Sequence, residues 1–278
     1  MTSTASDNPA QSGDEVLYAV GEHIATITLN APQRMNTISG LMLDQLAERL
    51  LQADRDRDVR VIVLTGAGRG FCAGLDLKQA QARRANGVPS ISDNLESQRA
   101  LRDIVIKMRR CPQPIIGIVQ GSAAGGGFAI ALACDIRLAT PEARMNAAFI
   151  KLGVSACDIG VSYFLPRMVG ASVAAEYMLT GRFIDAQRAA QLGLVSRVAP
   201  LEQLEVEARS FAADMLNATP LGLRLTKEAL GHAIDAGSME AVIAMEDRNQ
   251  MLCVQGEDFS EGVRAFLEKR APRYSGAG

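Results

Sequence analysis

Two runs constrain this chain more than anything else in it: VRVIVLTG, Val59 to Gly66, and IIGIVQG, Ile115 to Gly121. Each is nearly continuous in β-branched and apolar residues. A strand with one face in water alternates; an unbroken apolar run marks a strand covered on both faces, as in parallel sheets. Helical stripes supply the crossovers. The stretch from Gly40 to Asp54 places Leu43, Leu46, Leu50 and Leu51 on one face, and Leu101, Ile104, Val105 and Met108 recur at i, i+3, i+4 and i+7 before CPQP ends the helix. DIRLAT, from Asp135, reads as a third strand. Strand, helix and strand in succession argue for right-handed parallel βαβ units.

Around this framework, VLYAVGEHIATITLN reads as a hairpin turning about Gly21 and Glu22. The polar stretch from Lys78 to Asp93 reads as mobile. After Gly170 the pattern is mainly helical, with helices expected over Ser172–Thr180, Ala186–Leu192, Leu201–Asn217, Leu221–Ala236, Ser238–Gln255 and Phe259–Lys269. No repeat or linker interrupts the 278 residues, which suits one α/β domain followed by a helical region.

Composition removes several classes of function. The formal charge is −2 with no long run of one sign, which argues against nucleic acid as a partner. No apolar stretch approaches the ~18 residues of a membrane span, and MTSTASDNPAQSGDE lacks the basic and apolar regions of a signal peptide. That start reads as a disordered tail, and the expected location is the cytoplasm. The five cysteines, Cys72, Cys111, Cys134, Cys157 and Cys253, form no CxxC pair and read as reduced, mostly buried thiols. No cluster has metal-ligand spacing.

Chemistry points to two glycine-rich segments. GAGRGFCAGLDL and GSAAGGGFAIALACD each follow a buried strand, so each brings bare backbone to a strand's carboxyl end, where open α/β sheets bind ligands. The first is not a dinucleotide fingerprint, because Phe71 stands where the third glycine would be. Two readings remain for the pair. The glycines permit close helix–strand packing, or they expose two N–H groups that converge on one oxygen as an oxyanion hole.

Five blocks, ITLNAPQRMNTI, VIVLTGAGRGFCAGLDL, PIIGIVQGSAAGGGFAIALACDIRLAT, KLGVSACDIGVSYFLPRMVG and LTGRFIDAQRAAQLGLVSRV, resemble successive blocks of the crotonase superfamily, the enoyl-CoA hydratase/isomerase family. The similarity runs from about Val16 to Tyr274. It implies an α/β fold, a crotonase-like spiral of ββα units with a helical C-terminal trimerisation region. The implied division is a tail over 1–14, a spiral core binding acyl-CoA over 15–200 and helical oligomerisation over 201–278, in a homotrimer or dimer of trimers. The ligand implied is an acyl-CoA thioester, coenzyme A being part of the substrate, with no separate cofactor and no metal. The oxyanion-hole donors implied are the N–H groups of Ala73 and Gly126. Arg34 and Met35 are expected to border the coenzyme A, and Leu75 and Asp76 to lie near its adenine. Lys269 or Arg270 is a further candidate for its phosphates. Asn36 and Asp135, although in family blocks, read as structural turn or capping residues.

Family members that hydrate enoyl-CoA use two glutamates, and the matching positions hold Ala129 and Phe149. Neither transfers a proton, so efficient hydration is not expected. Cys72, Ala129 and Phe149 are read as pocket lining. One carboxylate stands out: Asp158 in SACDIGVSY, similar to the aspartate of dienoyl-CoA isomerases and to the nucleophile of a dehalogenase segment with the Asp158, Ser162, Tyr163 spacing. Asp158 is expected to be the acid/base or nucleophile facing the acyl group, or else to cap the following helix through Gly160 or Val161. Double-bond isomerisation is the first expectation. Thioester hydrolysis, dehalogenase-like chemistry or a silent coenzyme A-binding subunit are the alternatives.

Overall fold

The computed structural model describes residues 13–275. Strands β1 (Val16–Gly21), β2 (Ile24–Leu29), β3 (Val61–Gly66), β4 (Ile115–Val119), β5 (Ser122–Ala124), β6 (Ile136–Ala139), β7 (Arg144–Asn146), β8 (Ile184–Asp185) and β9 (Arg197–Val198) form two sheets. The larger has the order β1-β2-β3-β4-β6-β9 and is parallel apart from the β1–β2 hairpin; the smaller is β5-β7-β8. The helices are α1 (Gly40–Arg55), α2 (Leu77–Ala85), α3 (Ile91–Arg110), α4 (Gly126–Ala133), α5 (Val161–Val169), α6 (Ala171–Thr180), α7 (Ala186–Gln191), α8 (Leu201–Leu216), α9 (Pro220–Ala233), α10 (Met239–Gln255) and α11 (Glu257–Glu268).

The unbroken apolar strands are covered on both faces. Ile62 and Leu64 of β3, with Ile115 and Val119 of β4, join the core built with α1, α3 and α4. Val61, Val63, Ile116 and Ile118 face the other way, onto Leu204, Ala208 and Ala212 of α8. Each such side chain contributes about 1.5–3 kcal/mol on full burial. Helix α8, grouped in the sequence reading with the oligomerisation region, is thus the second cover of the sheet. Among the described residues no helix is long and apolar enough to cross a membrane.

Three local expectations are corrected. On α1 the buried positions are Met42, Leu46, Leu50 and Ala53, while Leu51 is 42% exposed. Met42, Leu46, Leu50 and Ala53 share the i, i+4, i+8, i+11 face that packs on the core, and Ser39 caps the helix by accepting from the Met42 N–H at 3.0 Å. The stretch read as mobile is helical over α2 and the start of α3. The Asp76 carboxylate accepts from the Lys78 and Gln79 N–H groups, and Ser90 and Asp93 form a capping box. Of the expected tail, residues 1–12 lie outside the described residues, but Asp14 is held: its carbonyl accepts from Asn30 Nδ2 at 2.9 Å and its carboxylate from Gln45 Nε2 at 3.0 Å.

Asn36 stitches the structure under the first glycine segment, as its structural reading expects. Fully buried and at φ 53°, it accepts from Ala31 N–H at 2.7 Å and donates to the carbonyls of Ala67 at 2.9 Å and Gly70 at 2.7 Å. Leucine would leave those three groups unpaired. Asn36→Leu is therefore expected to lower stability by on the order of 3 kcal/mol. Urea unfolding checks this, and a midpoint equal to that of the parent protein would refute it.

Candidate functional site

The second glycine segment opens α4, and each glycine has a different reason to be there. Gly125 ends β5's loop at φ 53° with its N–H on the Asn146 carbonyl at 3.0 Å. A Cβ on Gly126 would stand 2.8 Å from Ile38 Cδ1, and one on Gly127 would overlap the Cys72 carbonyl oxygen and lie 2.8 Å from its carbon. No side chain caps α4 and its first turn carries no acid. The Gly126 N–H thus has no partner among the described residues and sits at the positive end of the helix.

The first segment runs between two strands of backbone. Cys72 pairs with β5, its N–H donating to the Ser122 carbonyl at 3.0 Å and its carbonyl accepting from Ala124 N–H at 3.0 Å. On the other side, the Ala73 N–H donates to the Met35 carbonyl at 3.0 Å. This corrects the expected hole: Ala73 is committed to the fold and has no N–H to offer. Two residues on, Ile38 N–H donates to the Gly74 carbonyl at 2.8 Å and Asp76 N–H to the Ile38 carbonyl at 3.1 Å. The peptide N–H of Leu75 lies between these bonds and turns away from Ile38, with no hydrogen-bond partner among the described residues. Gly74, at φ 89°, backs closely onto the second segment: a Cβ there would lie 2.5 Å from the Ala124 carbonyl oxygen and 3.5 Å from the Gly126 nitrogen. The free donors brought to one place are therefore Leu75 and Gly126.

Walls around these donors are apolar. The nearest side chains to a Cβ on Gly126 would include Ile38, Ile159 and Leu101, and a Cβ on Gly125 would meet the Phe149 ring at 3.5 Å. Ala129 is fully buried and Phe149 nearly so. Cys72 is also fully buried, and burial pushes its thiol up to about 12, so it is a packed side chain and no nucleophile at neutral pH. Burial likewise raises Cys111 to about 11 and Cys134 to about 12, whereas Cys157 is exposed.

Asp158 lies in the turn before α5. Its carbonyl, not its carboxylate, accepts from the Val161 N–H at 2.9 Å, and α5 has no side-chain cap. The capping alternative is thereby corrected. The carboxylate Oδ1 accepts from the Ile159 N–H at 2.8 Å and from Gln98 Nε2 of α3. The neighbouring Ile159 side chain is one of the three, with Ile38 and Leu101, that a Cβ on Gly126 would meet. Tyr163, the third member of the dehalogenase-like spacing, is engaged elsewhere. Its hydroxyl donates to Asp235, and that bond raises the Tyr163 pKa and holds Asp235 below the usual carboxylate range.

The residues expected near coenzyme A are assembled at the first segment. Arg34 pairs with Glu15 at 2.5 Å and lies 3.7 Å from Asp76, which caps α2, while Leu75 is half exposed beside them. Met35, at φ 59°, packs its methyl against Gly70 and accepts through sulfur from Arg69 at 3.1 Å. Arg270 is tied to Glu261 and Glu268 at the end of α11; Lys269 is exposed beside it. His23 occupies the hairpin turn, its Nδ1 2.9 Å from the Asp58 carbonyl oxygen. Among the described residues no group of His, Cys, Asp and Glu could hold a metal.

A separate cavity of about 1180 Å³ lies at the far end of α4, between α3, α5 and α9. Eight helical residues, ~12 Å, separate it from the glycine segments. Its charges are mostly matched: Asp135 receives Arg109 at 2.6 Å and Lys227 at 2.8 Å, and three backbone carbonyls hold Arg137. Asp135 also accepts from Ile115 N–H at 2.8 Å, so it is structural, as read. Sequence reasoning missed Lys227 and Gln98, and it named Leu75 only as a neighbour of the adenine, not as a backbone donor. Gln98 was within reach, since extending the Leu101–Met108 stripe back by three residues arrives at it.

Comparison with known proteins is consistent across sequence and structure. A family model described as enoyl-CoA hydratase/isomerase matches residues 19–277. The chain is similar to the probable enoyl-CoA hydratase EchA12 of Mycobacterium tuberculosis, 42% identical over 259 residues that cover 91% of this chain and 89% of the relative. It is similar also to the 1,2-epoxyphenylacetyl-CoA isomerase of Escherichia coli K12, 36% identical over 261 residues covering 94% and 98%. Among solved structures, an enoyl-CoA hydratase from Bacillus anthracis superimposes with a TM-score of 0.88 at 32% identity, covering 94% of this chain and 99% of that one.

Proposed function

Because the chain belongs to the enoyl-CoA hydratase/isomerase family, we propose that it isomerises an acyl-CoA thioester through an enolate, with Asp158 as the sole proton-transferring side chain. The thioester oxygen accepts from the Leu75 and Gly126 N–H groups. Asp158 takes a proton from the α carbon; the C–H electrons move into the enolate, and the charge that develops on oxygen is held by donors that need no reorganisation. The same proton is returned at the γ carbon, which shifts the double bond. Coenzyme A enters as part of the substrate, bordered by Arg34, Met35, Leu75 and Asp76, and no other cofactor takes part.

One observation carries this reading. Ala129 and Phe149, where hydration would need acids, are buried apolar groups, while Asp158 is held in the turn whose Ile159 side chain lies beside Gly126. Similarity to an isomerase over 94% of the chain supports the same choice. Exposed apolar side chains on α9 to α11, including Leu230, Met251, Leu252 and Phe266, support self-association through the C-terminal helices, for which a trimer is the proposed form.

The discriminating experiment supplies trans-3-hexenoyl-CoA, trans-2-hexenoyl-CoA and 1,2-epoxyphenylacetyl-CoA to the purified protein. Isomerisation of the first or third is expected to exceed hydration of the second by at least tenfold. Hydration as fast as isomerisation would overturn the proposal. Binding of all three without turnover would favour a silent subunit.

A further inference from the structure

Gln98 sits on a part of α3 that is otherwise exposed, and its amide reaches across to the Asp158 carboxylate. The Ile159 N–H converges on the same oxygen, Oδ1, at 2.8 Å. Among the described residues Oδ2 accepts no hydrogen bond. The turn that makes this arrangement is itself unusual. Ile159 stands at φ 37° and Gly160 at φ 92°, and a β-branched residue in the left-handed region is costly by ~1–3 kcal/mol. Such a conformation persists only where its surroundings hold it. Here the Ile159 side chain is buried beside Gly126, and the Val161 N–H bonds to the Asp158 carbonyl at 2.9 Å.

Taken together, the geometry points to Gln98 as the positioning residue of Asp158 and to Oδ2 as the oxygen that carries the proton. This rests on the proposed role of Asp158 and deepens it. A carboxylate oxygen with two donors has its lone pairs occupied and is the weaker base; the oxygen without donors is the one available to a substrate C–H. Pinning Oδ1 from two elements, the turn and α3, fixes the rotation of the carboxylate about its Cβ–Cγ bond. Oδ2 then faces the substrate in one orientation, as effective proton transfer requires. In the step, the α C–H bond breaks, its electrons enter the enolate, and the proton forms an O–H bond on Oδ2. Return to carbon reverses the O–H bond and leaves the carboxylate as it began, with no other reactant. Because Gln98 is neutral, it orients the carboxylate without adding a charge to compete with the oxyanion.

The test uses phenylacetyl-CoA in deuterated water, whose α-proton exchange needs only the hole and the base, and follows the α position by NMR. Gln98→Glu keeps the shape and loses the amide donor; Gln98→Leu loses both. Each is expected to slow exchange at least tenfold, while calorimetric affinity for phenylacetyl-CoA stays within twofold. With 3-hexenoyl-CoA deuterated at the α carbon, both variants are expected to lose a larger share of label to solvent during isomerisation, because an unpinned acid turns toward water. Exchange and label retention equal to the parent protein in both variants would overturn the role of Gln98 alone. Absence of exchange in the parent protein, or full exchange in Asp158→Asn, would overturn the role of Asp158 and this inference with it.

Discussion

Replacing Asp158 with asparagine is expected to lower isomerisation by about 10²–10⁴ while leaving the fold and thioester affinity intact. The amide oxygen of asparagine still accepts from the Ile159 N–H and from Gln98, so both contacts that fix the turn are retained. What disappears is the ability to take up a proton at the side chain. A structural role predicts the reverse pattern, with stability falling and turnover following only through loss of folded protein. Steady-state kinetics beside a thermal melt separate the two. Full turnover in a variant that melts with the parent protein would remove Asp158 from the chemistry. No substitution elsewhere in the site is expected to give so large a loss at so small a structural cost, because Ala129 and Phe149 supply no second acid.

The second large effect is expected from one methyl group. In Gly127→Ala the new Cβ would overlap the Cys72 carbonyl oxygen, and that oxygen is held by the Ala124 N–H in the bridge to β5. Backbone paired on both sides has little room to yield. The start of α4 must therefore move away from the loop carrying Leu75, and the two donors separate. Loss of one donor costs on the order of 10²–10³ in rate. The overpacking adds roughly 1–3 kcal/mol of instability. Gly237→Ala is the control, since a Cβ there meets nothing within 4 Å. Gly127→Ala with the turnover and melting temperature of the parent protein would show that the glycine triplet is not under the constraint argued for it.

Much of this architecture was legible in residue order. The runs at β3 and β4 declare burial on both faces, and the faces alternate between the core of α1, α3 and α4 and the cover of α8. The helices after Gly170 lie where their patterns put them, with ends shifted by at most three residues. The stretch read as mobile shows a different lesson. Asp76 and the Ser90–Asp93 pair are capping signals, and they outweigh the polar composition that suggested disorder. Leu51 was placed inside because the leucines were weighed by type, whereas the buried stripe of the helix runs through Met42, Leu46, Leu50 and Ala53.

By itself, the sequence determined that two glycine-rich segments follow buried strands, that Ala129 and Phe149 stand where the family resemblance puts the glutamates of hydration, and that a carboxylate, Asp158, stands in the block KLGVSACDIGVSYFLPRMVG. These are matters of side-chain identity, and identity is what residues record. Which N–H groups are free was decided only by tertiary structure. Every residue except proline carries the same N–H, and its direction depends on what the loop pairs with. Ala73 is spent on Met35, so the open donor becomes Leu75. The contact between Gln98 and Asp158, 60 positions apart, is of the same kind. It exists because α3 crosses the turn before α5, and only the folded chain brings an amide to that oxygen.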